Sequence, residues 1–485
     1  MNGKNYYLII AFNIALSIII FPQKKFNKIA EINWIQIDSM NEERFQHAIA
    51  VLPNGNILVS GGSGGGQGNP DKRSAEIYDF NTGKWRYTNP MNVPRSLHKL
   101  LLLKTGKVMA IGGYKERSCE LFDPITETWT MTDSIPTLRA TGYTVTELND
   151  GRVLIAGGFR LTDDYKEMVY LSNCEIYDPD IRKWKTVASL NNGKYNHSAI
   201  LLKDGKVMIS GGTTKTESAI SECELFDPAN NIWSLTAPLN EPRSNPSSIL
   251  LPDGNVFVSG GGDFVTVDNI TYYDYKKTAE IFSVKNNTWI STNSMKYGRW
   301  GHDIYFLKSK NYLLIIGGNS SYETWETYDP INLLPIEAGL LPINNTYTNN
   351  SVQLNDDRIA LIGGLESDES SGVLSLLPTK KCYILNLVTN IEELQKIKED
   401  YILLQNYPNP FNPSTTIEYY LPRSGKVTIK IFDSLGKEIE TLVNEHKQAG
   451  LYQIIFNARN LPSGVYYYTL EYDNNRITKK MTLLK

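Results

Sequence analysis

An all-β chain in two parts, a seven-bladed propeller followed by a small Ig-like β-sandwich, is predicted by three features of this 485-residue sequence. One is a repeated spacing: a Trp, a basic residue ten positions later, and a Gly-Gly pair seventeen or eighteen positions after that. Another is a phrase between each Gly-Gly and the next Trp, as in Ala75-Glu-Ile-Tyr-Asp79 and Cys119-Glu-Leu-Phe-Asp123. The last is a change after Leu387, where the period stops and short alternating runs with Pro/Gly/Ser turns begin. Seven units of 44 to 56 residues have the size of propeller blades. A blade has two apolar faces, cannot bury them alone, and must stack on neighbours until the array closes.

Residues 1–28 read as an export signal: Lys4, an apolar run from Tyr6 to Phe21, then Pro22 and Lys24, Lys25 and Lys28. The run is shorter than the roughly 20 residues that span a bilayer comfortably. Its small pair, Ala15 and Ser17, lies inside the run, so an uncleaved anchor is the other reading.

The propeller is expected over 29–390. Its copies are Trp34, Arg44, Gly61-Gly62; Trp85, Arg95, Gly112-Gly113; Trp129, Arg139, Gly157-Gly158; Trp184, Lys194, Gly211-Gly212; Trp233, Arg243, Gly260-Gly261; Trp289, Arg299, Gly317-Gly318; and Gly363-Gly364 alone. In the first unit, 47–52 alternates, Asn54-Gly55 turns, 56–60 runs apolar into the Gly-Gly, 75–79 alternates, and 84–88 carries the Trp. Asn-Gly and Asp-Gly recur at 54–55, 150–151, 204–205 and 253–254, and both residues of such turns accept positive φ, so a four-stranded antiparallel meander follows. The Trp and the Tyr or Phe are expected to fill the space between blades. The Gly-Gly ends the second strand where a side chain would crowd the next element or where positive φ is required. The seventh unit has Pro335-Ile336 where its incoming Trp should stand, and no Trp follows Cys382. Trp34 precedes the first complete blade, so 34–37 is expected to supply the outer strand of blade seven.

The Gly-Gly, Tyr and Trp at this spacing resemble the kelch repeat. That resemblance implies that the strand after Arg44 is innermost and the Trp strand outermost. Cys119, Cys174 and Cys223 share one repeat position, one blade apart, which is too far for a disulfide, so they and Cys382 read as small buried residues.

A formal charge of −3 without a long Lys/Arg run gives no field for nucleic acid. His47, His98, His197 and His302 follow the basic residue by three positions, where units three and five have Gly142 and Pro246; one per blade, they read as repeat furniture rather than metal ligands. Glu76, Glu120, Glu175, Glu224, Glu280 and Glu326 match the basic residues in period and are expected to pair with them or with loop amides. The segments joining strands two and three vary and read as loops on one rim: Asp163, Asp164 and Tyr165 in one, Asp263, Tyr272, Tyr273, Asp274 and Tyr275 in another. Long loops on one rim, rich in aromatics and acids, are the expected binding face for a glycan or a protein. Copper radical oxidases such as galactose oxidase share kelch architecture, but no Tyr-His dipeptide occurs in these loops, and no nucleophile elbow, zinc-protease or phosphate-loop motif appears. No catalytic residue, metal or cofactor is therefore assigned. A monomeric binding module is expected, with a secreted carbohydrate-active enzyme as the alternative.

Residues 391–403 read as a charged linker with a short helix, and 404–485 as six alternating strands. Asn406, Pro408, Asn409, Pro410 and Phe411 at its head, then 427–436, then Gly464 and Tyr466, resemble the type A sorting domain of the type IX secretion system. The resemblance implies recognition by that outer-membrane machinery, and a location secreted from or on the surface of a Gram-negative bacterium.

Overall fold

The computed structural model describes residues 33–484 apart from 65–69, 163–165, 268–269, 309, 319–323, 343–349, 369–374, 387–401, 404–405, 407–410, 422–423, 449 and 473–474. The export signal expected over 1–28 and most of the linker expected over 391–403, with its short helix, lie outside the described residues. Among the described residues every regular element is a strand. The chain divides into two compact units, Met1–Leu387 and Val388–Lys485.

The first unit contains seven antiparallel sheets, each built on four strands. Blade one runs Ala48–Val51, Ile57–Ser60, Ala75–Asp79 and Lys84–Thr88 in order from the axis outward. Blades two to six repeat that order, and blade three adds Met168–Tyr170 beside its second strand. Blade seven is composite: Ser351–Gln353, Ile359–Asp368 and Ser375–Asn386 come from the end of the unit, and its outermost strand, Asn33–Ile37, comes from the start. Trp34 pairs with Leu385 and Ile37 with Cys382.

One apolar cluster fills each of the seven junctions between neighbouring blades, so the stack closes on itself. At the closing junction Ile57, Val59, Tyr78 and Trp85 of blade one meet Leu354, Ala360, Ile362, Cys382 and Ile384 of blade seven. In blades one to five the outer-strand Trp lies beside the aromatic residue of its own third strand, with Tyr78–Trp85 centroids 5.3 Å apart and Phe122–Trp129 4.9 Å apart. The indole N–H of Trp85, Trp233 and Trp289 donates to a carbonyl that follows the preceding blade's outer strand, at 2.9 Å in each case. The four cysteines are buried and free. Burial pushes the Cys119 thiol up to about 11 and those of Cys174, Cys223 and Cys382 to about 12, which leaves them as inert core residues.

The diglycine has two separate causes, visible at Gly260-Gly261. Both residues have positive φ, +62° and +83°, where L side chains are strained. A Cβ on Gly260 would also sit 2.5 Å from the carbonyl oxygen of Arg299 and 2.6 Å from the His302 ring, both in the next blade. The space is needed because blades are stitched there: the Gly62 N–H donates to Arg95 O at 2.8 Å, Gly158 to Lys194 O at 2.9 Å, and Gly212 to Arg243 O at 2.8 Å. Gly364 N–H to Arg44 O, at 3.0 Å, is the same stitch across the closing junction.

The second unit is a sandwich of two sheets. One orders Ile402–Leu403, Ser414–Leu421 and Gly450–Asn457; the other orders Glu438–Lys447, Gly425–Phe432, Gly464–Tyr472 and Asn475–Leu483. Strict alternation of burial along Gly425–Phe432 shows one face turned to the core. Ile417, Tyr419 and Phe456 from the first sheet join Val427, Ile429, Ile431 and Leu470 from the second in one cluster. Asn406 is buried: its backbone N–H donates to the Tyr468 hydroxyl at 2.7 Å and its Nδ2 to Thr415 Oγ1 at 2.9 Å. Phe411 is pinned beside Leu483, Gly464 opens its strand, and the Tyr466 hydroxyl donates to Pro462 O at 2.8 Å. Pro408, Asn409 and Pro410 lie outside the described residues.

Candidate functional site

Strand two ends, and the next blade's inner strand begins, at the same rim, so the basic residue and the Gly-Gly meet there. Arg243 is fully buried. Its Nη1 donates to Gly260 O at 2.8 Å and Thr278 O at 2.9 Å, while its Nη2 reaches Thr278 Oγ1 and Glu280 Oε1, both at 2.9 Å. Glu280 also accepts the backbone N–H of Asn240 at 2.7 Å. The same fork joins Arg44 to Glu76, Arg95 to Glu120, Arg139 to Glu175 and Arg299 to Glu326. Lys194 of blade four has no fork, and two carboxylates, Glu222 and Glu224, each approach it at 2.6 Å. These pairs brace the rim from beneath. Arg243→Met, which strands the buried Glu280 carboxylate, is expected to cost roughly 3–5 kcal/mol in denaturant unfolding, and adding Glu280→Met should recover much of that loss.

The histidines are inter-blade fillers. His98 Nε2 lies 2.9 Å from Ser60 Oγ, His302 Nε2 2.8 Å from Ser259 Oγ, and His197 Nε2 3.1 Å from Thr144 Oγ1, each partner belonging to the preceding blade. Burial, with a neighbouring Arg or Lys, holds His47 and His197 down to about 3 and His98 and His302 well below the usual range. The blade-three counterpart is Tyr143 rather than Gly142. One extra residue precedes it, and the Gly158 Cβ position meets Tyr143 Cβ as that of Gly62 meets His47 Cβ. Just before this position Gln46, Leu97, Gly142, Asn196, Asn245 and Gly301 all have positive φ. Asn196 N–H donates to Gly142 O at 2.8 Å, Asn245 to Asn196 O at 2.7 Å, and Gly301 to Asn245 O at 2.8 Å, forming a backbone belt at the channel mouth.

The expected loops are largely strand. The 263–278 segment forms a hairpin, Gly262–Val267 against Ile270–Tyr275; 159–173 prolongs Val153–Leu161 beside Met168–Tyr170; and 365–380 prolongs the two central strands of blade seven. Alternating β-branched and aromatic residues carry pairing past the blades. Asp163, Asp164 and Tyr165 lie outside the described residues.

The hairpin's alternation separates its tyrosines. Tyr273 and Tyr275 share one face, 5.1 Å apart, and both approach Trp300, at 5.8 and 6.4 Å. Phe264 meets Tyr273 edge-on at 5.1 Å. Tyr272 and Asp274 point the other way and are exposed. Asp263 accepts the N–H groups of Ala219 at 3.0 Å and Phe264 at 2.8 Å, a bracing role. A second aromatic group stands over blades three and four, with Tyr195 at 5.3 Å from Phe159 and 5.5 Å from Tyr170. Hydroxyls connect the groups: the Tyr195 phenol lies against Thr213, Thr213 Oγ1 donates to Ser244 Oγ at 2.6 Å, and Ser244 lies against the Tyr273 phenol. Burial pushes the Tyr195 phenol up to about 12, so it stays protonated as a donor.

Sequence reasoning singled out Tyr273 and Tyr275 but not Trp300, Tyr195, Phe159, Tyr170, Thr213 or Ser244. A signal existed: the position directly after the basic residue reads Phe45, Ser96, Ala140, Tyr195, Ser244, Trp300, varied beside a near-constant Arg or Lys.

Comparison with known proteins matches residues 64–326, more than half of the chain, to the family described as Attractin/LZTR1 beta-propeller, and residues 405–483 to the Secretion system C-terminal sorting domain. Kelch-like protein 15 of Danio rerio is 26% identical over 181 residues, 32% of this chain and 28% of that protein. Kelch-like protein terF of Aspergillus terreus is 26% identical over 169 residues, 32% of this chain and 36% of that protein. The matches thus span about a third or less of these relatives' own length. A copper-bound fungal alcohol oxidase of the AA5 family has a similar fold, with a TM-score of 0.60 at 14% identity, covering 93% of this chain and 99% of that one. Here the cysteines and repeat histidines sit between blades, and among the described residues no group of three or more His, Cys, Asp or Glu could hold a metal ion.

Proposed function

Since this chain belongs to the Attractin/LZTR1 beta-propeller family and ends in a type IX sorting domain, we propose that it is an exported recognition protein whose ligand, a glycan or a protein segment, sits on the rim over blades three to six. The sorting domain implies engagement with the secretion machinery and a secreted or surface location. The observation that carries the binding role is the line of half-buried aromatic rings, Tyr195, Tyr273, Tyr275 and Trp300, joined beneath by the buried hydroxyls of Thr213 and Ser244. Rigid aromatic faces give contact area at low entropic cost, and adjoining hydroxyls give directional bonds. The repeat does not call for an aromatic residue at the position of Tyr195 and Trp300.

A glycan and peptide array probed with the full chain tests this reading. Tyr275→Ala and Trp300→Ala should each weaken the retained ligand by roughly thirtyfold, the scale of a hot-spot loss near 2 kcal/mol, while Tyr87→Ala on the outer strand of blade one should not. Equal binding by all three variants, or no ligand retained by the parent, would refute it.

A further inference from the structure

We propose that the rim ligand is a neutral oligosaccharide, read by the side-chain carboxamides of Asn196 and Asn245 at the channel mouth; this rests on the rim reading above and names its ligand class. Both residues belong to the backbone belt, at the position where blades one to six carry Gln46, Leu97, Gly142, Asn196, Asn245 and Gly301. Positive φ is common to all of them, and Gln and Leu hold it as well as Gly and Asn do, so the left-handed backbone alone does not call for asparagine.

The two asparagines lean in opposite directions, each onto a glycine of the adjoining blade. A Cβ on Gly142 would lie 2.9 Å from Asn196 Oδ1 and 3.0 Å from Cβ and Cδ2 of Tyr195. A Cβ on Gly301 would lie 2.5 Å from Asn245 Nδ2. The Asn196 carboxamide therefore stands beside Tyr195, and that of Asn245 lies against the residue that follows Trp300. Each of these two stations combines an aromatic residue, a carboxamide and a glycine that makes room for it. They are tied together by the belt bonds from Asn245 N–H to Asn196 O, 2.7 Å, and from Gly301 N–H to Asn245 O, 2.8 Å. Both asparagines are half-buried, and among the described residues neither carboxamide makes a hydrogen bond to the protein.

A carboxamide donates through Nδ2 and accepts through Oδ1, which matches sugar hydroxyls that do both. The neighbouring rings offer flat apolar faces to the C–H face of a pyranose. None of these groups is charged. An anionic sugar would call for a free Arg or Lys, whereas Lys194, Arg243 and Arg299 beneath are buried against Glu224, Glu280 and Glu326. An extended peptide would call for an open strand edge, whereas the belt N–H groups of Asn196, Asn245 and Gly301 are already bonded to the preceding blade. Two stations side by side take a ligand of at least two sugar units.

The test is calorimetric titration of the full chain with cello-, manno-, xylo- and chitohexaose, with the matching monosaccharides, with hexagalacturonate and with extended hexapeptides. At least one neutral hexaose should bind, about tenfold or more tightly than its monosaccharide. Asn196→Gly and Asn245→Gly should each weaken that binding by about tenfold. Both should melt close to the parent, because glycine accepts positive φ and stands at this position in blades three and six. Gln46→Gly, the same change in blade one, should leave binding unaltered. A hexaose bound no better than its monosaccharide, or glycine variants that bind like the parent, would overturn the proposal. Retention of only the hexapeptides or only hexagalacturonate would overturn it too while leaving the rim as a binding face. No binding by any probe overturns it as well, and the rim reading falls with it only if the glycan and peptide array is also blank.

Discussion

Acidification from pH 7 to pH 5 is expected to lower the melting temperature steeply, above the range in which ordinary carboxylates titrate. His47, His98, His197 and His302 are 3–5% exposed and stay neutral in the native ring, with His47 and His197 held near 3. In the unfolded chain each takes a proton below about 6.5. The folded pKa is depressed, so this stability is complete above the unfolded value and is lost as pH falls towards the folded one. Four such groups give a slope approaching about 5 kcal/mol per pH unit. Asp303, raised to about 6, acts in the opposite sense, because its protonation on acidification favours the native state, and it offsets about one of the four protons. The net loss by pH 5 is roughly 6 kcal/mol, against a typical domain stability of about 5–15 kcal/mol. Calorimetric melts at pH 7, 6 and 5 measure this, and a flat melting temperature over that range would show that the rings can protonate without leaving their slots. His98→Gln, which keeps a hydrogen-bonding group near Ser60, should remove about one proton from the slope.

The reason those histidines are buried also explains which parts of the molecule were legible in the sequence. The His302 ring occupies the space that a Cβ on Gly260 would need, and the Arg299 carbonyl binds at the same corner, so Gly, Arg and His recur together because every blade meets the same neighbour. Repetition of neighbours is what a repeat records, and blade order and the Trp–aromatic pairs could be read from it, while the six main strands of the sandwich were legible from alternation and turn residues. Tyr143 escaped because a single inserted residue shifts the count, and only strand register reveals that. The 262–275 hairpin escaped because it pairs with no blade and so leaves no trace in the period. Trp300 meeting Tyr273 depends on how the 262–275 hairpin folds over the next blade, and no local pattern encodes that.

A chain that begins after Asp38 is expected to lose the closed ring altogether. Asn33–Ile37 is the outer strand of blade seven, and its removal leaves Ser375–Asn386 with an unpaired edge along five residues. Trp34 packs into the cluster that contains Leu307, Trp325, Leu341 and Leu385, while Ile37 packs with Ile57, Cys382 and Ile384, so this one strand serves both junctions flanking blade seven. What remains at the closing junction is the apolar contact of Ile57, Val59, Tyr78 and Trp85 with Leu354, Ala360, Ile362, Cys382 and Ile384, and three backbone bonds: Met40 N–H to Lys380 O at 2.9 Å, Arg44 N–H to Thr379 O at 3.3 Å, and the Gly364–Arg44 stitch. Losing the Trp, the Ile and the ladder amounts to roughly 5–10 kcal/mol. The effect spreads further than that sum, because an open ring leaves one apolar face of blade one and one of blade seven without a partner. Size-exclusion chromatography should show association where the parent runs as a single species, with no cooperative melt. Trp34→Ala, which keeps the ladder, should remain folded and melt lower by the equivalent of roughly 3 kcal/mol. A shortened chain that melts like the parent would mean that the inner strands alone hold the ring shut and that the terminal strand is ornamental.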